Sequence, residues 1–264
     1  IGTPGRLLNL IADKKLKLHL LKAIVIDEAD ELLGQEETLT ACRKLVSFAP
    51  TNTQLAFFSA TKAPVLTELE RWFGAEVEIY DVYGQKHQQG EIIHYLVEVP
   101  TRKRVDALRK LAHMPDFYGL VFFKQSATLN ETAKRLQYHG VKIATLTSEG
   151  RQTQRAQALS ALRKREIKLL LTTDLAARGL DIAKLPAVVN FDLPKDTNTY
   201  IHRVGRTGRM GQDGVIVNLG NEHDLRMFKQ LVKDLDYDLR PGYLYQQHIV
   251  DDLETAKEQL ASEV

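Results

Sequence analysis

With one cysteine, Cys42, among its 264 residues, this chain has no internal disulfide to hold it. No metal-ligand cluster surrounds that cysteine, and a reducing, cytoplasmic setting is expected. Long apolar runs are missing. The longest, such as Leu169-Leu170-Leu171 and Leu120-Val121-Phe122-Phe123, are far too short to cross a bilayer, and no secretory pattern is read at the start. An excess of one charge is missing as well: 36 Lys and Arg against 34 Asp and Glu leave +2, so composition does not announce a nucleic-acid partner. Nowhere does Gly-Lys occur, so these residues contain no G-x-x-x-x-G-K-[ST] phosphate loop.

What is present suits a globular chain of one large or two ordinary domains, 44% hydrophobic and 27% charged. The charge is uneven. Residues 1–82 hold 9 basic and 12 acidic residues, a net of −3; the remainder holds 27 and 22, a net of +5. Arginines cluster in that second part, at Arg151, Arg155, Arg163, Arg165, Arg203, Arg206 and Arg209. Ile1-Gly2-Thr3-Pro4 reads as a strand entering a helix start, so the chain is expected to be cut from a longer one.

Short β-rich runs alternate with stretches of helical period, the pattern of a parallel sheet covered by helices. Thr3 before Pro4 predicts a helix start. Ala23-Ile26 and Leu55-Ser59 read as buried strands and Val77-Asp81 as a third, with helices near 36–48 and 63–73. The polar, aperiodic stretch 83–90 reads as a linker between residues 1–82 and a second domain, 91–236. There, strands are predicted at 92–99, 120–123, 142–146, 168–172, 187–191 and 215–219. Helices fall near 103–113, 126–139, 153–163, 197–204 and 224–234. Residues 237–264 read as an extension with a last helix near 251–262.

Two stretches carry chemistry. Ile24-Val25-Ile26 runs straight into Asp27-Glu28-Ala29-Asp30, placing carboxylates at the carboxyl edge of an α/β sheet, where such folds bind ligands. Mg²⁺ takes oxygen ligands, and phosphoryl transfer needs a group to orient water; Asp27 and Glu28 suit those roles. The bland alternative is a solvated acidic helix start. Ser59-Ala60-Thr61 ends a second strand, and reads either as hydroxyls bonded to those carboxylates or as a helix cap. In the other half, Tyr200 to Arg209 brings Arg206 and Arg209 three apart, so that a helical turn would aim both guanidiniums one way. Gly205 and Gly208 would permit close backbone approach. The bland alternative is a basic loop in surface ion pairs. Thr173 could donate to a nucleic-acid phosphate and Asp181 could accept from a ribose.

In order and spacing this set resembles the DEAD-box RNA helicases across residues 1 to about 235. Thr3-Pro4-Gly5-Arg6 is similar to motif Ib, Asp27 to Asp30 to motif II and Ser59-Ala60-Thr61 to motif III. Residues 120–123 lead into motif IV, and Gln152 to Arg155 is similar to motif IVa. Thr173 through Asp181 resembles motif V, and His202 to Arg209 motif VI. The resemblance implies an α/β fold of two RecA-like domains with parallel sheets flanked by helices, the first incomplete. It implies ATP and Mg²⁺ as cofactors, Asp27 on the metal and Glu28 as catalytic base. Arg206 and Arg209 would reach the γ-phosphate, with Gly179 and Asp181 at the nucleotide. Asp30, Ser59, Thr61 and His202 would couple hydrolysis to closure. Thr3, Gly5, Arg6, Arg155 and Thr173 would line RNA at its phosphate backbone.

Thr147-Ser148 stands where the family has His-Gly, and Glu31 to Gln35 departs from its usual run. Without a phosphate loop, these residues alone are expected not to hydrolyse ATP. A non-enzymatic RNA-binding or assembly module and a related DNA translocase are the alternatives. Ribosome-assembly or RNA-decay proteins as partners are not identifiable from the residues, and no membrane contact is expected.

Overall fold

The computed structural model describes residues 1–74, 76–81, 90–147, 152–177, 185–208 and 212–261. The chain divides into two compact units, Ile1–Gln85 and Lys86–Val264. Of the linker expected at 83–90, only Gly90 lies among the described residues.

The first unit runs α1 (Pro4–Ala12), β1 (Ala23–Ile26), α2 (Ala29–Leu33), α3 (Glu36–Ser47), β2 (Gln54–Phe57), a 3₁₀ turn at Pro64–Glu68 and α4 (Leu69–Phe73). Pro4 opens α1 because its fixed φ suits the first helical position and its missing N–H is not needed there. Glu36 and Glu37 begin α3 and Lys44 lies in its last turn, each sign favoured by the helix dipole. β1 and β2 pair in parallel, Ala23 opposite Gln54 through Ile26 opposite Phe57. Ile26, Ala29, Leu33, Cys42 and Leu69 form a small core with Trp72 and Phe73 packed on its edge.

Two expectations are corrected in this unit. Of β1 only Ile26 is buried, and Val25 is 62% exposed; β2 is at best half-buried. The apolar run that reads as a two-sided core strand has a packed face and an open one. Residues 77–81 form no strand. They find side-chain partners instead of a ladder: Val77 N donates to Glu70 Oε1 at 3.2 Å, and Lys62 pairs with Asp81 at 2.5 Å.

The second unit begins with β3 (Ile92–Glu98), α5 (Arg104–Ala112), β4 (Gly119–Phe123), α6 (Ser126–Tyr138), β5 (Ile143–Leu146) and α7 (Gln152–Arg163). It continues through β6 (Leu169–Thr173), α8 (Asp174–Ala177), β7 (Ala187–Asn190), α9 (Thr197–Val204), β8 (Gly214–Gly220) and α10 (Glu222–Leu231). It ends with β9 (Leu239–Pro241), β10 (Tyr243–Tyr245), β11 (His248–Val250) and α11 (Leu253–Ala261). Seven strands form one sheet in the order β5-β6-β4-β7-β8-β3-β9, every pair parallel.

Side-chain alternation divides its core. Val121 and Phe123 join Leu108, Leu111, Leu129 and Leu136 of α5 and α6 on one face. Leu120 and Phe122 join Leu162 of α7 on the other. Both faces are covered, so β4 and β7 are buried throughout, and β4 and the first three residues of β7 read as apolar runs. The stretch 237–264 is not wholly an appendage: β9 extends this sheet at β3, and Leu244 and Ile249 of the β10–β11 hairpin pack on its core. Among the described residues no helix is long and apolar enough to cross a membrane.

His94 of β3 is 1% exposed, stacked on Tyr237 at 4.4 Å, with Nδ1 2.6 Å from the Tyr200 hydroxyl. Burial pushes its pKa down to about 4, partly opposed by Asp238. The imidazole is therefore neutral in the fold but protonates near pH 6.5 once unfolded. Stability is complete above pH 6.5, falls as pH drops towards 4 and levels below, a total of about 3 kcal/mol. The unfolding free-energy gap between wild type and His94→Phe is expected to change by about that amount between pH 7 and pH 4. Urea titrations at the two pH values giving the same gap would refute the burial argument.

Candidate functional site

In the first unit, β1 ends at Ile26 and the acidic residues follow at its carboxyl end. Phe58 N donates to Ile26 O at 2.9 Å, and Ala29 N donates to Phe58 O at 2.8 Å, so both strand ends are stitched where the carboxylates emerge. Asp27 is exposed, and its Oδ1 accepts from Glu28 N at 2.9 Å. Glu28 is half-buried at φ 51° and ψ 46°, a left-handed conformation that costs a non-glycine residue about 1 kcal/mol or more. That kink turns the strand into α2 within one residue and separates the directions of Asp27 and Asp30. Asp30 is 7% exposed and accepts from Thr61 Oγ1 at 2.5 Å. Ser59 Oγ donates to Thr61 O at 2.7 Å. The 3₁₀ turn after this segment starts from Ala63, so Ser59-Ala60-Thr61 is a brace to the acidic turn and not a helix cap.

Thr3, Gly5 and Arg6 are exposed at the start of α1. A Cβ on Gly5 would meet nothing within 4 Å, so packing within the unit does not demand glycine there.

In the second unit, Thr173 ends β6, half-buried. Arg155 of α7 is half-buried, and its Nη2 donates to Ala176 O of α8 at 2.6 Å. His202 lies on α9 and Arg206 just beyond it, both half-buried. Of the helical turn expected through 206–209, the described residues 206–208 are not helical. α9 stops at Val204, and Gly208 has φ 65°, which a right-handed helix does not accept. A Cβ there would also press on the outer end of the Ile92 side chain, which can shift, so the positive φ is what favours glycine at 208. Thr207 instead bridges to Leu185, its hydroxyl donating to Leu185 O at 2.5 Å. Arg209, Gly179 and Asp181 lie outside the described residues, as does Ser148.

Sequence reasoning gave Arg203 no role beyond its place in the arginine cluster. It is 3% exposed. Its Nε and Nη2 take the two oxygens of Asp174 at 2.7 and 2.8 Å, and its Nη1 donates to Asn190 Oδ1 and Asp192 O at 2.7 and 2.8 Å. The guanidinium also lies over the Phe122 ring at 4.8 Å. Arg203 is thus a strut between α9, β7 and the end of β6, while Arg206 lies two residues beyond the last residue of the helix.

Among the described residues no group of three or more His, Cys, Asp or Glu forms a metal cage. A single exposed carboxylate, Asp27, is what Mg²⁺ needs when waters and phosphates fill its other positions. The residues present fit that ion in this partial sense. For the phosphates of ATP they offer cationic side chains but no Gly-Lys loop.

The family model for the DEAD/DEAH box helicase matches residues 1–69, and that for the helicase conserved C-terminal domain matches 101–211. The chain is 36% identical over 239 residues to the probable ATP-dependent RNA helicase YfmL of Bacillus subtilis, covering 90% of this chain and 63% of that protein. It is 34% identical to the DEAD-box ATP-dependent RNA helicase CshC of Bacillus cereus, covering 89% of this chain and 60% of the relative. The chain therefore spans about three fifths of the length of these relatives. Among solved structures it is similar to S. cerevisiae Dbp5 bound to RNA and ADP BeF3, with TM-score 0.78 and 26% identity over 100% of this chain and 68% of that one. A DEAD box protein from Methanococcus jannaschii matches with TM-score 0.52 and 29% identity over 91% of this chain and 65% of that one.

Proposed function

The chain belongs to the DEAD-box helicase family, and on that premise we propose that it is the larger part of an ATP-dependent RNA helicase that uses ATP hydrolysis to close on RNA and open short duplexes. The observation that carries this reading is the acidic turn: an exposed Asp27, a Glu28 held in left-handed backbone, and an Asp30 braced by Thr61. Ordinary helix starts need no such strain.

In this reading Asp27 holds Mg²⁺ through water, and the ion neutralises phosphate charge when bound. Glu28 accepts a proton from the attacking water. Arg206 and Arg209 supply guanidiniums to the γ-phosphate, and Gly179 and Asp181 lie against the nucleotide. Asp30, Ser59, Thr61 and His202 pass the state of the nucleotide to the rest of the fold. These 264 residues alone are proposed not to hydrolyse ATP, because they hold no Gly-Lys loop to give the phosphates a backbone cradle and a lysine. RNA-stimulated ATPase activity from the purified 264-residue chain would overturn that part.

RNA contact is proposed at Thr3, Gly5, Arg6, Arg155 and Thr173, through phosphates. Arg6→Ala is then expected to weaken binding alike for U-rich and A-rich strands, and to reduce the log–log salt slope by about 0.7. Fluorescence anisotropy across a salt series tests this. A loss confined to one sequence, or no loss, removes Arg6 from the path. Equal preference for DNA in the same assay would favour a DNA translocase. The decisive test of the enzyme reading is RNA-stimulated ATP hydrolysis by the full-length gene product; its absence would leave the RNA-binding module.

A further inference from the structure

Five buried side chains of the second unit form one line of hydrogen bonds that the proposed chemistry does not use. Arg203 Nη1 donates to Asn190 Oδ1 at 2.7 Å, and Asn190 Nδ2 donates to Asn218 Oδ1 at 2.8 Å. Asn218 Nδ2 donates to Tyr95 O at 3.2 Å and to the Tyr200 hydroxyl at 3.4 Å. The Tyr200 hydroxyl lies 2.6 Å from His94 Nδ1. Asn190, Asn218 and Tyr200 are 0% exposed, His94 1% and Arg203 3%.

The direction of every link follows from one end. A guanidinium has no acceptor, so Asn190 must turn its carbonyl oxygen to Arg203 and its NH₂ to Asn218. Asn218 must then present its own NH₂ to the Tyr200 oxygen. Burial keeps the His94 ring neutral, and in the tautomer with its proton on Nε2 the bare Nδ1 accepts the Tyr200 proton. Donors therefore run one way from cation to imidazole, an arrangement in which each bond polarises the next.

The line crosses three neighbouring strands, β7, β8 and β3, and touches α9 twice. Tyr200 and Arg203 are one helical turn apart on α9, which carries His202 and ends just before Arg206. The remaining donors of Arg203 hold both oxygens of Asp174, the residue after Thr173. Helix α9 is thus pinned at two points to the sheet and at a third to the end of β6.

A polar line of this kind is a poor source of stability, since well-packed apolar residues of the same size often serve as well or better. What it supplies is a single geometry: a sliding or rotated α9 would leave buried amides unmatched. We propose that Asn190, Asn218 and Tyr200 are positioning residues, which act through Arg203 to fix the orientation of α9 and so aim Arg206 at the nucleotide phosphate. This rests on the enzymatic reading given above.

The test uses the full-length gene product with five variants: Asn218→Leu, Tyr200→Phe, Arg206→Ala, and Arg206→Ala combined with each of the first two. Tyr200→Phe removes one hydroxyl and keeps the ring packed, so it serves if Asn218→Leu does not fold. Each positioning variant is expected to lower RNA-stimulated kcat by about tenfold with KM for ATP within about twofold, as misaiming of a transition-state group does. In the Arg206→Ala background the same changes are expected to cost nothing further. Losses that multiply, or full kcat with only a lowered Tm, would overturn the inference and leave the line a structural feature. A wild-type protein without ATPase activity would instead overturn the enzymatic reading itself.

Discussion

Replacing Glu28 by Gln is expected to lower RNA-stimulated ATP hydrolysis by the full-length gene product about 10²–10⁴-fold, with RNA binding retained. The change keeps the shape of the side chain and removes its ability to take a proton from water. Glu28 is half-buried, and α2 begins from it: Leu32 N donates to the Glu28 carbonyl at 3.0 Å, and Asp27 Oδ1 accepts from the Glu28 backbone N–H. Those anchors are main-chain, so the turn survives the substitution. A modest loss, below about tenfold, would show that Glu28 is not the base and that the acidic turn is structural. An equal loss of RNA affinity would point to a misfolded first unit.

The second large effect is on stability. Arg203→Ala is expected to destabilise the chain by about 3 kcal/mol, the lower end of the range for breaking a buried pair. Asp174 is 39% exposed at its side chain and can rehydrate, which limits the cost. Asn190 Oδ1, fully buried, loses its donor and cannot recover one from solvent. Arg203→Lys is expected to recover only part. One ammonium cannot reach both Asp174 oxygens, Asn190 and Asp192 together, nor lie flat on Phe122. Urea midpoints for the three proteins decide it. Wild-type stability in Arg203→Ala would mean that the strut is dispensable, and would also undercut the positioning line that starts from it.

Much of the second unit is legible in its residues. Continuous apolar runs such as Leu120 to Phe123 and Ala187 to Val189 belong to a sheet covered on both faces, and the structure has one there. Pro4 made the start of α1 legible, whereas the Asn221–Asp224 capping box that starts α10 at Glu222 was missed, the helix being expected near 224. The hairpin of β10 and β11 gave no such signal. Its turn residues, Gln246 and Gln247, both have positive φ, at 41° and 65°, where Asn-Gly would have announced a turn. β9 is three residues ending in proline, tolerated because it lies at the sheet edge.

The site shows the same division. That carboxylates follow a strand and that arginines crowd one stretch of chain is a matter of adjacent residues, and adjacency is what a sequence states directly. Glu28 in left-handed backbone, Thr61 bonded to Asp30 thirty-one positions away, and Arg203 rather than Arg206 sunk into the core all depend on partners distant along the chain. Residue order by itself determined which chemical groups exist and which face of each element is apolar. Only tertiary packing decided which arginine became a strut, because hydrogen-bond partners are assigned by proximity in space, and that is set by how the sheet stacks its strands.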